Sequence, residues 1–314
     1  MFVVGGESLI DLVPVSAAPG AERVAHAGGS PFNCAIALAK LGNDTGFLCP
    51  ISQDEHGDLL LAPLAEAKVS VLLTERVAAP TTKAIVSFND KMQASYVFVR
   101  GADRAFTRDG LLRALPQSIA LYQVGGFCPI LEEDALVWLD IVRAAIGRGA
   151  TISFDINVRD KLVDDEDGYR RRLSQFLDLA HLIKLSEEDH AWLAPELSIE
   201  HYAAKLLDRP NCELVVVTLG EHGSRAFSRR AEARAAIYAP PVFGDTVGAG
   251  DSLMAGILAW LSETGALKPG ALGQLDAEAL ATTLRFGAVV AGLNCGKKGC
   301  QPPSRAEVDT ILAA

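Results

Sequence analysis

No window of the sequence approaches the roughly 20 uninterrupted apolar residues that a membrane-spanning helix requires, although 49% of the 314 residues are hydrophobic. A transmembrane helix is excluded and a membrane partner is not expected. Basic side chains are also few. Against 39 Asp and Glu stand 29 Lys and Arg, a net charge of −10 that repels a nucleic-acid backbone over most of a surface. Neither DNA nor RNA is expected as a partner. Met1-Phe2-Val3-Val4-Gly5-Gly6-Glu7 has no basic leader and no apolar stretch of signal length, which points to the cytoplasm. Cys34, Cys49, Cys128, Cys212, Cys295 and Cys300 contain no C-x-x-C pair and read as reduced core thiols. The histidines lack H-E-x-x-H, and His181 and His190 lie too far apart for one helical face, so zinc is not expected. The common nucleotide fingerprints are missing too. The run from Gly292 to Lys298 has one residue too few between its glycines for a P-loop, and no Ser or Thr follows its lysine. Gly5-Gly6-Glu7-Ser8 gives no G-x-G-x-x-G after the first strand, so dehydrogenases and P-loop ATPases recede together.

What the chain does have is alternation. Short β-rich runs at Phe2 to Gly6, Ile119 to Val124, Thr151 to Asp155, Leu182 to Leu185 and Leu214 to Thr218 read as strands. Helical patterns at Glu133 to Arg148 and Tyr169 to Ala180 separate some of them. This predicts an α/β protein with a doubly wound, mainly parallel sheet flanked by helices. Two segments break the rhythm, at about 12–27 and 81–100. In the second, Ala84 to Phe88 and Ala94 to Val99 flank a turn-like Asn89-Asp90-Lys91. Neither is long enough to build its own core, so a small antiparallel sheet forming a lid over the main body is expected.

The most informative stretch is Asp245-Thr246-Val247-Gly248-Ala249-Gly250-Asp251-Ser252, which opens an apolar helical run from Leu253 to Leu261. Glycines let the backbone approach a ligand, and the unpaired N–H groups of a first helical turn attract anions. Asp251 there can be an ordinary capping group. It can equally be a proton acceptor beside the nest of Gly248, Ala249 and Gly250, as phosphoryl transfer to an alcohol needs. The second reading is adopted. Asp11 follows Leu9-Ile10, near the carboxyl end of the expected sheet, where open α/β proteins place ligands. Asp155-Ile156-Asn157-Val158-Arg159 closes a buried-looking strand with polar groups at alternating positions; Arg159 either lines a site or pairs with a neighbouring carboxylate.

Asp245 to Gly256 resembles the carboxy-terminal signature of the PfkB, or ribokinase-like, carbohydrate kinase family. Gly28-Gly29-Ser30-Pro31-Phe32-Asn33-Cys34-Ala35 resembles its amino-terminal signature, and the likeness extends over essentially the whole chain. The resemblance implies a single ribokinase-like domain over 1–314 and an ATP-dependent kinase acting on a sugar hydroxyl. Asp251 would be its base, with the amides of residues 248–250 as anion hole. It further implies sugar contacts from Asp11, Gly28, Gly29, Asn33 and Arg159. Arg100 and Asp103 join them because Arg100-Gly101-Ala102-Asp103 resembles the substrate loop of fructose-specific members. On the nucleotide side it implies Lys184, Ser186, Thr218, Gly220, Gly223 and Asn294, with an adenine wall beginning at Arg285. Asp189 stands where the family usually carries the Glu of N-x-x-E, a magnesium position; here the motif's ends are Ser186 and Asp189, both shorter. Carbonyls of Val247, Asn294, Lys297 and Gly299, with Asp245, would supply a potassium-like site. Fructose is the acceptor expected first, with ribose and 2-keto-3-deoxygluconate open. A non-catalytic relative that senses sugar or nucleotide is the contrary reading, against which Asp251 argues. The lid strands would serve a homodimer.

Overall fold

The apolar runs form a parallel sheet buried on both faces, as their unbroken hydrophobicity requires. The computed structural model describes residues 1–16, 21–88 and 94–313; the turn expected at Asn89-Asp90-Lys91 lies outside the described residues. The strands are β1 (Phe2–Gly5), β2 (Leu9–Pro14), β3 (Arg23–Gly28), β4 (Thr45–Leu48), β5 (Ser70–Val71), β6 (Lys83–Phe88), β7 (Ala94–Val99), β8 (Leu121–Gly125), β9 (Thr151–Asp155), β10 (Leu182–Ser186), β11 (Leu214–Thr218), β12 (Ser224–Ser228) and β13 (Glu232–Ala235). The α-helices are α1 (Ser30–Lys40), α2 (Glu55–Glu66), α3 (Arg108–Ala114), α4 (Glu132–Gly147), α5 (Glu166–Leu179), α6 (Glu187–Leu193), α7 (Ile199–Leu207), α8 (Ala249–Glu263), α9 (Ala277–Cys295) and α10 (Arg305–Leu312).

Nine strands make the main sheet, in the order β13-β12-β11-β10-β9-β8-β1-β4-β5, parallel from β11 to β5 and antiparallel at the β12 and β13 edge. Successive strand residues enter opposite layers: Val216 joins the core under α1, α8 and α9, while Val215 and Val217 join the core under α4, α5 and α7. A small second sheet, β3-β2-β6-β7, consists of two antiparallel pairs joined by a parallel pairing of β2 with β6. It begins at Leu9, earlier than the expected segment, because Leu9 already pairs with Gly28. Asp11 therefore sits within a strand of this small sheet and not at the end of a main-sheet strand, which corrects the expectation. One cross-strand row of the small sheet runs His26, Asp11, Ala84, Phe98, so these four side chains share a face.

Candidate active site

Two helices point their N-termini at one carboxylate. Ser30, the first residue of α1, donates its hydroxyl to Asp251 Oδ1 at 2.6 Å, and Asn33 Nδ2, one turn on, donates to Oδ2 at 2.8 Å. Asp251 itself lies in the first turn of α8, so both positive helix ends act on it. Asn33 thus holds the expected base as well as lining the cavity, a link its motif position did not reveal. Burial raises the Asp251 carboxyl above its ordinary range, opposed by the Ser30 and Asn33 hydrogen bonds and by Lys184 and Arg159.

The glycine-rich turn leads straight into α8. Gly248 is left-handed, with φ 71°, and a Cβ there would come within 2.3 Å of Cys300 Sγ. The helix then starts abruptly. Among the described residues, the backbone N–H groups of Gly250 and Asp251 have no acceptor, whereas Ala249 N–H bonds the Thr246 carbonyl. Free donors at a helix N-terminus suit an anion such as a phosphate.

A cavity of about 540 Å³ opens beside them, between the main sheet and the small one. Asp11, Gly29, Asn33, Arg159, Val247, Gly248 and Asp251 all line it, which places seven of the expected site residues on one surface. Gly28 does not line it, but a Cβ there would lie 2.6 Å from Asp11 Oδ2. Burial pushes the Asp11 carboxyl up to about 6, with His26 across the strand pair and Arg159 pulling the other way. Among the described residues, Arg159 has no carboxylate in ion-pair range, so of its two readings the structure places it on the cavity wall. Asn157, two residues before it, has a left-handed φ of 43° that turns the chain out of β9.

Other expected residues are elsewhere. Arg100 and Asp103 do not line the cavity: the guanidinium grips Asp103 Oδ2 at 2.6 Å, reaches Asp134 and lies over the Phe127 ring, while Asp103 also takes the Thr82 hydroxyl and the Gly101 N–H. That pair is a brace where β7 rejoins the core. Asp189 and Ser186 form a capping box at the start of α6. Asp189 Oδ2 accepts the Ser186 N–H and Oδ1 the Val158 N–H, so each of its oxygens serves a backbone amide. Lys184 is only 5% exposed and gives Asp155 two hydrogen bonds of 3.0 and 2.9 Å. It sits beneath the nest and not in open contact with a nucleotide, since a Cβ on Gly250 would be 3.2 Å from its Nζ. Burial pulls Lys184 down, but Asp155, Asp189 and Asp251 hold it above its usual value. Thr218, Gly220 and Gly223 belong to the turn joining β11 to antiparallel β12, with both glycines at positive φ. Asn294 is fully buried and ties two loops, donating to the Val247 carbonyl at 2.7 Å and accepting from Gln301 N–H at 2.8 Å.

Hydrogen bonds and close contact link the loops that carry the residues of the expected monovalent-cation site. Asp245 accepts N–H bonds from Val247 and Gly299, Val247 takes the Asn294 amide, and the Lys297 carbonyl lies against Gly244. Carboxylate and carbonyl oxygens in one loop pair suit a hard cation. For magnesium the fit is different. Among the described residues no group of three or more His, Cys, Asp or Glu stands together, so the donors present suit an ion carried by phosphate oxygens and water. A second depression of about 480 Å³, lined by Ile237, Tyr238, Ala288 and Ile311 between Arg234 and Arg285, includes the front of the expected adenine wall.

Ser30 and Glu7 carry no assigned role in the sequence, yet both line the cavity. Ser30 lay inside a quoted motif without a role, and its N1 position in a helix facing Asp251 was the signal. Glu7 follows the first strand, lines the cavity and is 3% exposed; a carboxylate directly after a buried run was the sign available.

A model of the pfkB family of carbohydrate kinases matches residues 1–307. A fructokinase-1 of Oryza sativa subsp. japonica is 30% identical, covering 99% of this chain and 96% of its own. A fructokinase of Rhizobium leguminosarum bv. trifolii is 30% identical over 89% of this chain and 85% of that protein. Among solved structures, a Xylella fastidiosa fructokinase with bound ATP matches with a TM-score of 0.90 at 27% identity, covering 99% and 98% of the two chains. A Giardia lamblia ribokinase, at 22% identity and a TM-score of 0.82 over 99% of this chain and 98% of that one, shares the fold.

Proposed function

Since the chain belongs to the pfkB family of carbohydrate kinases, we propose that it transfers the γ-phosphoryl group of ATP to D-fructose, giving fructose 6-phosphate. One observation carries the proposal: a carboxylate held by Ser30 and Asn33 stands next to unpartnered helix N–H groups on the wall of a cavity of sugar size. The relatives named above supply the choice of fructose.

The sugar hydroxyl approaches Asp251, which orients it and takes its proton as the oxygen attacks phosphorus. Gly248 turns the chain so that the free N–H groups of Gly250 and Asp251 meet the charge that develops on the transferred group, the Ala249 N–H being held by the Thr246 carbonyl. Arg159 adds a cation on the same wall. Lys184, sealed below Gly250, adds buried positive charge without touching either substrate. Tyr96 and Phe98 of the small sheet close the opposite side of the cavity, and their closure keeps water from the phosphoryl donor. Magnesium, brought on the phosphates of ATP, would neutralise their charge. The loop pair of Asp245 and Asn294 would hold a potassium-like ion that stiffens the nest from below. Thr218, Gly220 and Gly223 are assigned to the nucleotide's polar part, and the depression beside Tyr238 and Ala288 to its base. The small sheet acts as the lid of the one domain and as a pairing surface for a second copy. Six unpaired cysteines suit a reducing compartment, the cytoplasm.

The test is ATP turnover by the purified chain against ketoses, aldoses, ketodeoxy acids and nucleosides. The highest kcat/KM is expected with fructose; absence of sugar-dependent turnover across the panel defeats the kinase reading.

A further inference from the structure

The sugar cavity holds a carboxyl that the phosphoryl-transfer chemistry does not use. Glu7 leaves the end of β1 into the floor of the cavity, where its neighbours are Leu9, Asp11 and Phe127. Two glycines make its position possible. Gly6, at φ 139°, turns the chain beneath Pro31, and Gly126, at φ 60°, leaves room for the carboxyl, because a Cβ there would lie 2.5 Å from Glu7 Oε1. Phe127 N–H donates to Oε2 at 3.1 Å. Among the described residues no cation forms an ion pair with Glu7; Arg159 acts on it at longer range, as it does on Asp11 and Asp251.

A structural carboxylate this deep is normally paired with a cation or surrounded by N–H donors. Glu7 has one backbone partner besides its own N–H and otherwise faces the cavity. Burial pushes its carboxyl up to about 7, against Phe127 N–H and Arg159 lowering it and Asp103 raising it; the thiols of Cys49 and Cys128 are the other titratable groups that feel its charge. The folded state therefore holds Glu7 at a cost that grows as pH rises from the ordinary glutamate range through about 7. Such a group repays its cost when a ligand supplies the missing partner.

We infer that Glu7 is a substrate-recognition residue: its carboxyl takes a hydroxyl of a neutral sugar as hydrogen-bond donor and sets the cavity against sugar acids. The inference rests on the sugar-kinase reading of the same cavity. A hydroxyl donating to an ionised carboxylate makes a charge-assisted bond, whereas a substrate carboxylate at that point meets like charge.

The test is Glu7→Gln, which keeps size and one acceptor while removing the charge. The wild-type substrate panel judges the kinase reading first; the variant is then measured on whichever sugar the wild type phosphorylates. A neutral sugar should show KM raised about tenfold with kcat within about threefold, as loss of a hydrogen bond to a charged group implies. The ratio of kcat/KM for 2-keto-3-deoxygluconate to that for fructose should rise. The wild-type KM should fall as pH increases through about 7, and this dependence should be absent from the variant. Thermal stability at pH 8 should equal or exceed that of the wild type, which a purely structural residue would not permit. An unchanged KM and pH dependence, or a fall in stability with kcat and KM moving together, overturns the inference. Calorimetric binding of fructose to the wild type without nucleotide, across the same pH range, gives an independent reading; affinity indifferent to pH also overturns it.

Discussion

Asp251 must be ionised to accept a proton, and burial raises its pKa, so activity is lost on the acid side sooner than an ordinary aspartate would lose it. The expected kcat profile climbs with pH through that raised value. Asp251→Asn should flatten the limb and reduce turnover by about 10²-fold or more while fructose binding persists; near-normal turnover sinks the base assignment. Lys184 makes a second case at this scale. Deleting its charge leaves Asp155, itself 3% exposed, buried without its partner. Lys184→Met should therefore cost about 3–5 kcal/mol in denaturant unfolding, and adding Asp155→Leu should recover much of it. Recovery of stability without recovery of kcat would show the buried charge acting on the nest; recovery of both would show that it does not. Asp251 beside Gly-Ala-Gly allows two readings in the sequence, a helix cap or a base, and its place on the cavity wall in the grip of Ser30 and Asn33 supports the second. Arg100 and Asp103 are a charged pair separated by a turn, which looks alike in sequence whether it faces a ligand or its own partner. Only the Asp134 carboxylate and Phe127 ring, distant in sequence, distinguish the two. Glu7 was missed because one carboxylate without periodic context carries no local pattern.

Helix α8 links chemistry to packing. Its first turn carries Asp251, and one turn later Gly256 lets α9 approach so closely that a Cβ would stand 2.8 Å from Gly287 Cα and 2.9 Å from Val290 Cγ2. Both neighbours belong to a packed helix, so relief requires moving α9 as a body. Gly256→Leu should destabilise by at least about 1–3 kcal/mol, seen as a lower Tm, and should depress kcat by tilting the start of α8. An unaltered Tm would mean that the interface is looser than the distances show. The sequence shows Gly256 as the end of a signature, not as a helix contact, because both readings need a glycine. Elements with strong periodicity were legible to within a few residues: Thr151–Asp155 and Leu214–Thr218 match their expected spans. The short strands toward the two edges of the main sheet were not. β4 is four residues with a glycine inside, and β12 and β13 mix arginine, serine and alanine without an apolar alternation, their pairing set by β11 and α9 instead. The Ser186 and Asp189 box shows the same limit, since a capping pair and a ligand pair share their spacing.

On the scale of the whole molecule the small sheet has two faces with different duties. Phe98 shares the inward row with Asp11, stacks on Tyr96 and meets Phe127 edge-on at a centroid distance of 5.3 Å, joining lid to floor beside Glu7. Phe98→Ala should therefore raise the fructose KM and increase ATP hydrolysis relative to sugar phosphorylation, because a gap in the lid admits water to the donor. The outward row runs Ala25, Leu12, Ile85, Val97. α2 packs against its β2 and β3 end, so Leu12 and Ala25 are partly covered, whereas Val97 and Val99 are 61% and 50% exposed. A sheet face half covered by its own helix and half bare is completed most simply by the same face of a second copy, related by a twofold axis. Replacing Val97 and Val99 with lysine adds two like charges per copy at that contact. The expected outcome, by light scattering after gel filtration, is a wild-type dimer that the double variant converts to monomer with its fold intact. Since a lid held by a neighbour is steadier, the monomer should bind fructose more weakly while retaining the chemistry at Asp251. A wild type already monomeric at micromolar concentration, or a variant of unchanged mass, removes the pairing and leaves the lid to close on its own.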